Sequence, residues 1–288
     1  MTNDIINNII DINCKGNGGF HMKKKLILLV ALILICSASL VACNSTPVPA
    51  AAWAGSEVLN YEVATTSGEI IGSMVCETKR KQSATFSNLI DDVNYENADN
   101  SFKMHLDTNK VEITTNILTK GYNTLAIKKV YVDKEDSENN YTVVAYHSGK
   151  YFYYTLNGEE QNRVKMSSGY TDSEFLYNYL RCYQLSSLPT DIKILDPLTK
   201  TIIEVGATNT GLTKVFEIAY PNGNISIQCN EVEIALNSSP VGKPIKVYYT
   251  PDQDEYNLSS FSMDVSKNFP VMIIENEITY RLTSVTIA

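Results

Sequence analysis

Apolar and polar residues alternate along most of this chain, and residues that turn a backbone break the alternation at regular intervals. Val58–Thr65 and Glu69–Thr78 flank Thr66-Ser67-Gly68, and Ser101–Leu106 and Val111–Leu118 flank Asp107-Thr108-Asn109-Lys110. Tyr141–Tyr146 and Tyr151–Leu156 flank His147-Ser148-Gly149-Lys150, and Thr213–Tyr220 and Asn224–Leu236 flank Pro221-Asn222-Gly223. β-Branched and aromatic runs separated by Gly, Asn or Asp read as antiparallel hairpins. In the last strand Ile278, Tyr280 and Leu282 fall on one face and Thr279, Arg281 and Thr283 on the other. The pattern predicts a mainly β domain over 57–288 with about a dozen strands.

One segment has the other period. Thr171-Asp172-Ser173-Glu174 matches a capping box, and Phe175, Leu176, Tyr179, Leu180 and Tyr183 follow at helical spacing. Pro189 discourages continuation. The spacing predicts one principal amphipathic helix over about residues 172–183. Its apolar face must be buried against the sheet, so these five residues are the candidate ligand- or partner-binding positions.

The N-terminal part is organised differently. Lys23, Lys24 and Lys25 precede an apolar run that ends in small residues, the layout of a secretory signal. It closes on Leu40-Val41-Ala42-Cys43, which resembles the lipobox of bacterial lipoproteins. The resemblance implies cleavage before Cys43 and lipidation of its thiol, with attachment to the membrane. Each methylene of the acyl chains contributes roughly 0.8 kcal/mol to that attachment. An uncut membrane anchor over 23–42 is the alternative, although the run is short for a span and Ser37 and Ser39 interrupt it. Met22 reads as the start of translation, with 1–21 an upstream or disordered extension and 22–42 the signal peptide. Residues 43–56, rich in Pro, Ala and Ser, read as a tether.

Three further segments carry a resemblance. Leu59 to Val75 looks like the opening hairpin of the LolA-like superfamily, and Phe175 to Arg181 is similar to its inserted helix. Pro244–Thr250, Phe269–Ile274 and Ile278–Val285 resemble its last strands. The resemblance implies an open antiparallel half-barrel with helix in its concave face. The family includes lipoprotein carriers, lipid-binding lipoproteins and germination lipoproteins, and it offers no catalytic residues to carry over. A β-sandwich is the alternative architecture.

Charge and chemistry narrow the function. The formal net charge is −8, and cleavage before Cys43 would remove four lysines and two aspartates and leave −10. An acidic surface argues against nucleic acid as a partner. Cys76 and Cys229 lie in apolar strand patterns and read as buried small hydrophobes, with a disulfide between them as the alternative. His105 and His147 read as structural or exposed, since no metalloprotease, nucleophile-elbow or phosphate-loop pattern accompanies them. The acidic loops 133–138 and 252–255 read as solvated hairpin tips, because the first lacks the glycine and terminal glutamate of a calcium loop. No catalytic residue, metal site or cofactor is indicated. Alternation places half of Tyr151-Phe152-Tyr153-Tyr154 and of Tyr248-Tyr249 in the core and half outside, where tyrosines suit recognition.

The expectation is a non-enzymatic, extracytoplasmic lipoprotein that docks a cell-envelope protein. A carrier of lipid or another apolar ligand in the concavity is the alternative, and a hydrolase using a carboxylate pair is the competing class. A concavity packed shut by the helix favours docking, and one left open favours a ligand.

Overall fold

The computed structural model describes residues 56–80, 90, 98–121, 123–165, 170–196, 201–220, 223–236, 244–251 and 268–287. The leader, Cys43, the tether up to Gly55, the Pro221-Asn222 turn and the acidic loop 252–255 lie outside them.

The described strands are β1 (Ser56–Thr65), β2 (Ile70–Arg80), β3 (Asn100–Thr108), β4 (Val111–Lys120), β5 (Asn123–Asp133), β6 (Tyr141–Ser148), β7 (Tyr151–Leu156) and the two-residue pieces β8 (Glu159–Glu160), β9 (Val164–Lys165) and β10 (Tyr170–Thr171). After a short helix, α1 (Leu176–Leu180), come β11 (Ile192–Asp196), β12 (Thr201–Tyr220), β13 (Gly223–Leu236), β14 (Ile245–Tyr249), β15 (Pro270–Glu275) and β16 (Ile278–Ile287). All belong to one sheet of order β10-β11-β12-β13-β14-β15-β16-β1-β2-β3-β4-β5-β6-β7-β8, with β9 on β7. Nearly every pairing is antiparallel; β10–β11 and the single β12–β16 bridge are parallel. One continuous sheet excludes the sandwich alternative. A sheet this wide must curl, and here β10 returns against β5, giving an open, barrel-like shape.

The inner face follows the register. Leu59, Cys76, Met104, Thr115, Lys129 and Val143 are successive cross-strand partners from β1 to β6, and all six are buried. Gly72 is required by close approach, since a Cβ there would lie 2.1 Å from the Asp107 carbonyl oxygen of β3. The alternation in β16 holds only to Leu282. Opposite Asn60 and Tyr61 the register slips by one residue, so Val285, three positions on, faces inward with Leu282.

The β12–β13 hairpin is longer than expected, starting at Thr201 rather than Thr213. A bulge between Asn209 and Thr213, with Gly211 at φ +75°, divides it. Beyond the bulge Phe216, Ile218, Ile227 and Cys229 are buried. The Phe216 ring lies 5.2 Å from the outward-facing Tyr248, and Ala219 bridges Ser284 of β16. The hairpin tip therefore folds over the outer side of its own sheet. Cys76, Cys182 and Cys229 are all free and buried, so the disulfide alternative is not realised.

The helix is much shorter than the expected 172–183. Thr171 is committed to the parallel pairing of β10 with β11, so it is extended and caps nothing. Asp172 Oδ1 accepts the Glu174 N–H at 3.0 Å and shapes the turn before the helix, whose N-cap position, Phe175, has no side-chain cap. Glu174 does not reach back to a cap, because its carboxylate is engaged by Lys129. Turns on either side of the single helical stretch hold the rest of the segment.

Candidate functional site

α1 lies in the concavity of the curled sheet, as helix propensity alone could not sustain five residues in water. Phe175 and Leu180 are fully buried and Leu176 nearly so. Phe175 meets Phe102 of β3 at a ring distance of 5.4 Å. Tyr179 and Tyr183 are half-buried and bond to each other through their hydroxyls at 2.7 Å. Of the five helix residues singled out in the sequence, the fold brings Leu176 to the open part of the concavity, inserts Phe175 and Leu180 into the core, and sets the two tyrosines aside.

The C-terminal end of α1 is fixed by a buried ion pair. Arg181 donates from Nη1 and Nη2 to the two Glu57 carboxylate oxygens at 2.7 and 2.9 Å. Its Nη1 also donates to Asn178 Oδ1 at 2.8 Å, and its guanidinium lies 5.0 Å over the Phe269 ring. Burial would depress the Arg181 pKa, but Glu57 overrides it and holds the guanidinium charged. Around this pair the Tyr249 hydroxyl donates to the Tyr177 carbonyl at 3.0 Å and the Tyr61 hydroxyl to the Pro270 carbonyl at 2.8 Å. Burial pushes the Cys76 thiol up to about 12, which makes it inert as a nucleophile at neutral pH.

A second ionic cluster sits at the N-terminal end of the helix segment. Lys129 on the inner face of β5 donates to Glu174 at 2.6 Å. Burial alone would raise the Glu174 pKa; Lys129 overrides it, with hydrogen bonds to Asp172, Lys129 and Ser173, and sets it at about 2. Asp172, fully buried, goes the other way: burial first, then the negative Glu174, push its carboxyl well above the usual range. A group with a raised folded pKa contributes stability below its unfolded value, about 3.9, and loses it as pH rises through the folded value. Asp172→Asn copies the neutral acid in shape. Denaturant unfolding of both proteins from pH 4 to 8 should show the wild type losing stability against the variant as pH rises. Parallel profiles would remove Asp172 as the titrating group.

Between this cluster and the sheet a cavity of about 540 Å³ remains open. Met74, Met104, Leu106 and Ile113 come from one limb of the sheet, and Ile194, Ile203, Val205, Ile234 and Ile245 from the other. Leu176 and Tyr177 of α1 also line it, as do Glu174, Glu275 and Tyr280, which lie near enough for their charges to act on one another. Glu275 accepts from the Tyr177 hydroxyl at 3.2 Å; burial and the nearby Glu174 raise its pKa. The volume lies within the roughly 300–1,000 Å³ typical of ligand sites.

The remaining candidates are dispersed. His105 faces outward beside Thr114, while His147 has the inward parity of Val143 and Ala145, so the sheet separates the two histidines. Loop 133–138 closes on itself, with Asp133 Oδ1 accepting from the N–H groups of Glu135 and Asp136 at 2.9 and 3.0 Å. Among the described residues no group of three His, Cys, Asp or Glu is placed to hold a metal ion. Phe152 and Tyr154 are buried, while Tyr153 stacks outside on Tyr146 at 5.5 Å and Arg163 lies 4.0 Å over the Tyr151 ring.

Sequence reasoning did not single out Glu57, Lys129, Arg181 or Glu275. A signal was present for two of them: Glu57 shares parity with Leu59, Tyr61 and Val63, and Lys129 with Ile127. No family model and no curated protein matches the chain. Among solved structures, the chain is similar to a beta-barrel-like protein of domain of unknown function DUF1849 from Brucella abortus. The two share 9% sequence identity with a TM-score of 0.48, over 83% of this chain and 100% of that one.

Proposed function

We propose that this protein is a lipid-anchored, extracytoplasmic binding protein, without catalytic activity, that holds an apolar ligand inside its curled sheet. The observation that carries the reading is the open cavity beside α1, walled by aliphatic side chains from both limbs of the sheet. A core closes such space unless something else fills it. The anchor is supported by the lysine cluster and the lipobox-like Leu40-Val41-Ala42-Cys43, and in this reading the lipid on Cys43 keeps the domain at the cell membrane.

Docking of a cell-envelope protein is the second reading. It is favoured by Leu212 and Val215, which are 60% and 62% exposed on β12. It stands second because the helix closes only part of the concavity. The hydrolase reading would use Glu174 and Glu275. Glu174, held at about 2 by Lys129, is a poor general acid and a weak base near neutral pH.

Native mass spectrometry of the full chain purified from its own source tests the proposal. The expected result is a retained apolar adduct that Ile113→Trp, which fills the cavity, removes. A wild-type protein without adduct, carrying a stoichiometric protein partner instead, would replace this reading with docking.

A further inference from the structure

The cavity is unbalanced in charge. Its lining is largely aliphatic, and two neighbouring carboxylates, Glu174 and Glu275, border it. Glu174 is compensated by Lys129 at 2.6 Å, in an ion pair largely withdrawn from solvent. Glu275 is not compensated: among the described residues no cation forms an ion pair with it, and its carboxylate accepts a hydrogen bond from the neutral Tyr177 hydroxyl at 3.2 Å. It is half-buried at the end of β15, where Asn276, in the left-handed region at φ +54°, turns the chain. A carboxylate drawn out of water against an aliphatic wall is costly unless a counter-charge meets it. The protein as a whole is acidic, which draws cations towards it.

Resting on the cavity reading above, we propose that the ligand is an amphiphile with a protonated amine head, its ammonium paired with Glu275 and its chain in the aliphatic chamber. The two features are independent, since the chamber is set by the curl of the sheet and the carboxylate by the β15–β16 turn. Among the described residues, a fatty acid or phosphate head would meet two carboxylates and one cation, Lys129, already paired with Glu174.

Calorimetric titration of the full chain in amphipol, with empty amphipol as the blank, separates the possibilities. The probes are octylammonium, 1-octanol and octanoate, which share a chain and differ in head charge. The expected order is octylammonium at least about 10-fold tighter than octanol, with octanoate the weakest. E275Q should bring the ammonium down to the affinity of the alcohol. Equal affinities for all three probes would overturn the amine head and leave the cavity reading standing. Binding of none would overturn both. The comparison of heads on the wild type decides the matter even if E275Q does not fold.

Discussion

Replacing Arg181 by alanine is expected to lower the unfolding free energy by about 3–5 kcal/mol. The guanidinium is essentially inaccessible, and so is its partner Glu57. Removing it leaves a carboxylate buried beside Thr78 and Phe102, its neighbours across β2 and β3. The same change frees Asn178 Oδ1 and uncovers the Phe269 ring, so packing is lost along with charge. At this chain length each kcal/mol lowers the melting temperature by roughly 2–4 °C. The double variant Glu57→Leu/Arg181→Met should recover most of the loss, because it removes both charges and keeps the volume. Calorimetric melting of the single and double variants checks this. A single variant that melts with the wild type would mean that the pair contributes nothing to stability.

Leu180→Ala is expected to cost about 2–5 kcal/mol, since Leu180 has no exposed surface and sits in the main core with Phe175, Leu176 and Cys182. The helical spacing alone also allows Leu180 to be the lid of a cavity, where tryptophan would block a ligand and spare the fold. The structure removes that option, because Leu176 and Tyr177 line the cavity and Leu180 does not. Leu180→Trp should therefore overpack the core, at about 1–3 kcal/mol, rather than act as a plug. Denaturant unfolding of both variants measures this. A Leu180→Trp protein of wild-type stability that no longer retains an apolar adduct would return Leu180 to the site.

Much of the architecture was legible because a strand's side chains alternate with a period of two. One buried face then writes itself into the sequence as Leu59, Tyr61 and Val63 or Met104 and Leu106. Bulges break that rule: the slip opposite Asn60 and Tyr61 has no marker in the sequence and turns Val285 inward with Leu282, whereas Gly211 marks the bulge through which β12 continues instead of starting after it. The helix was legible as an apolar stripe and not in its length. The capping box is a local preference worth about 1 kcal/mol. Pairing of Thr171 with Ile194, and of Glu174 with Lys129, outweighed it.

A mainly antiparallel β domain, an acidic chain, the burial of Cys76 and Cys229 and a helical segment with an apolar stripe are all readable from the order of the residues. These follow from periodicity and composition, which act between near neighbours in the chain. Long-range packing alone makes the sheet curl until β10 meets β5, brings Arg181 to Glu57 across 124 residues, and brings Lys129 to Glu174 across 45. The cavity that survives beside the helix, with Glu275 in its lining, has the same origin. These depend on how the curl of a wide sheet brings its two limbs together. That curl sums the twists and bulges of many strands, and no one segment of the chain records it.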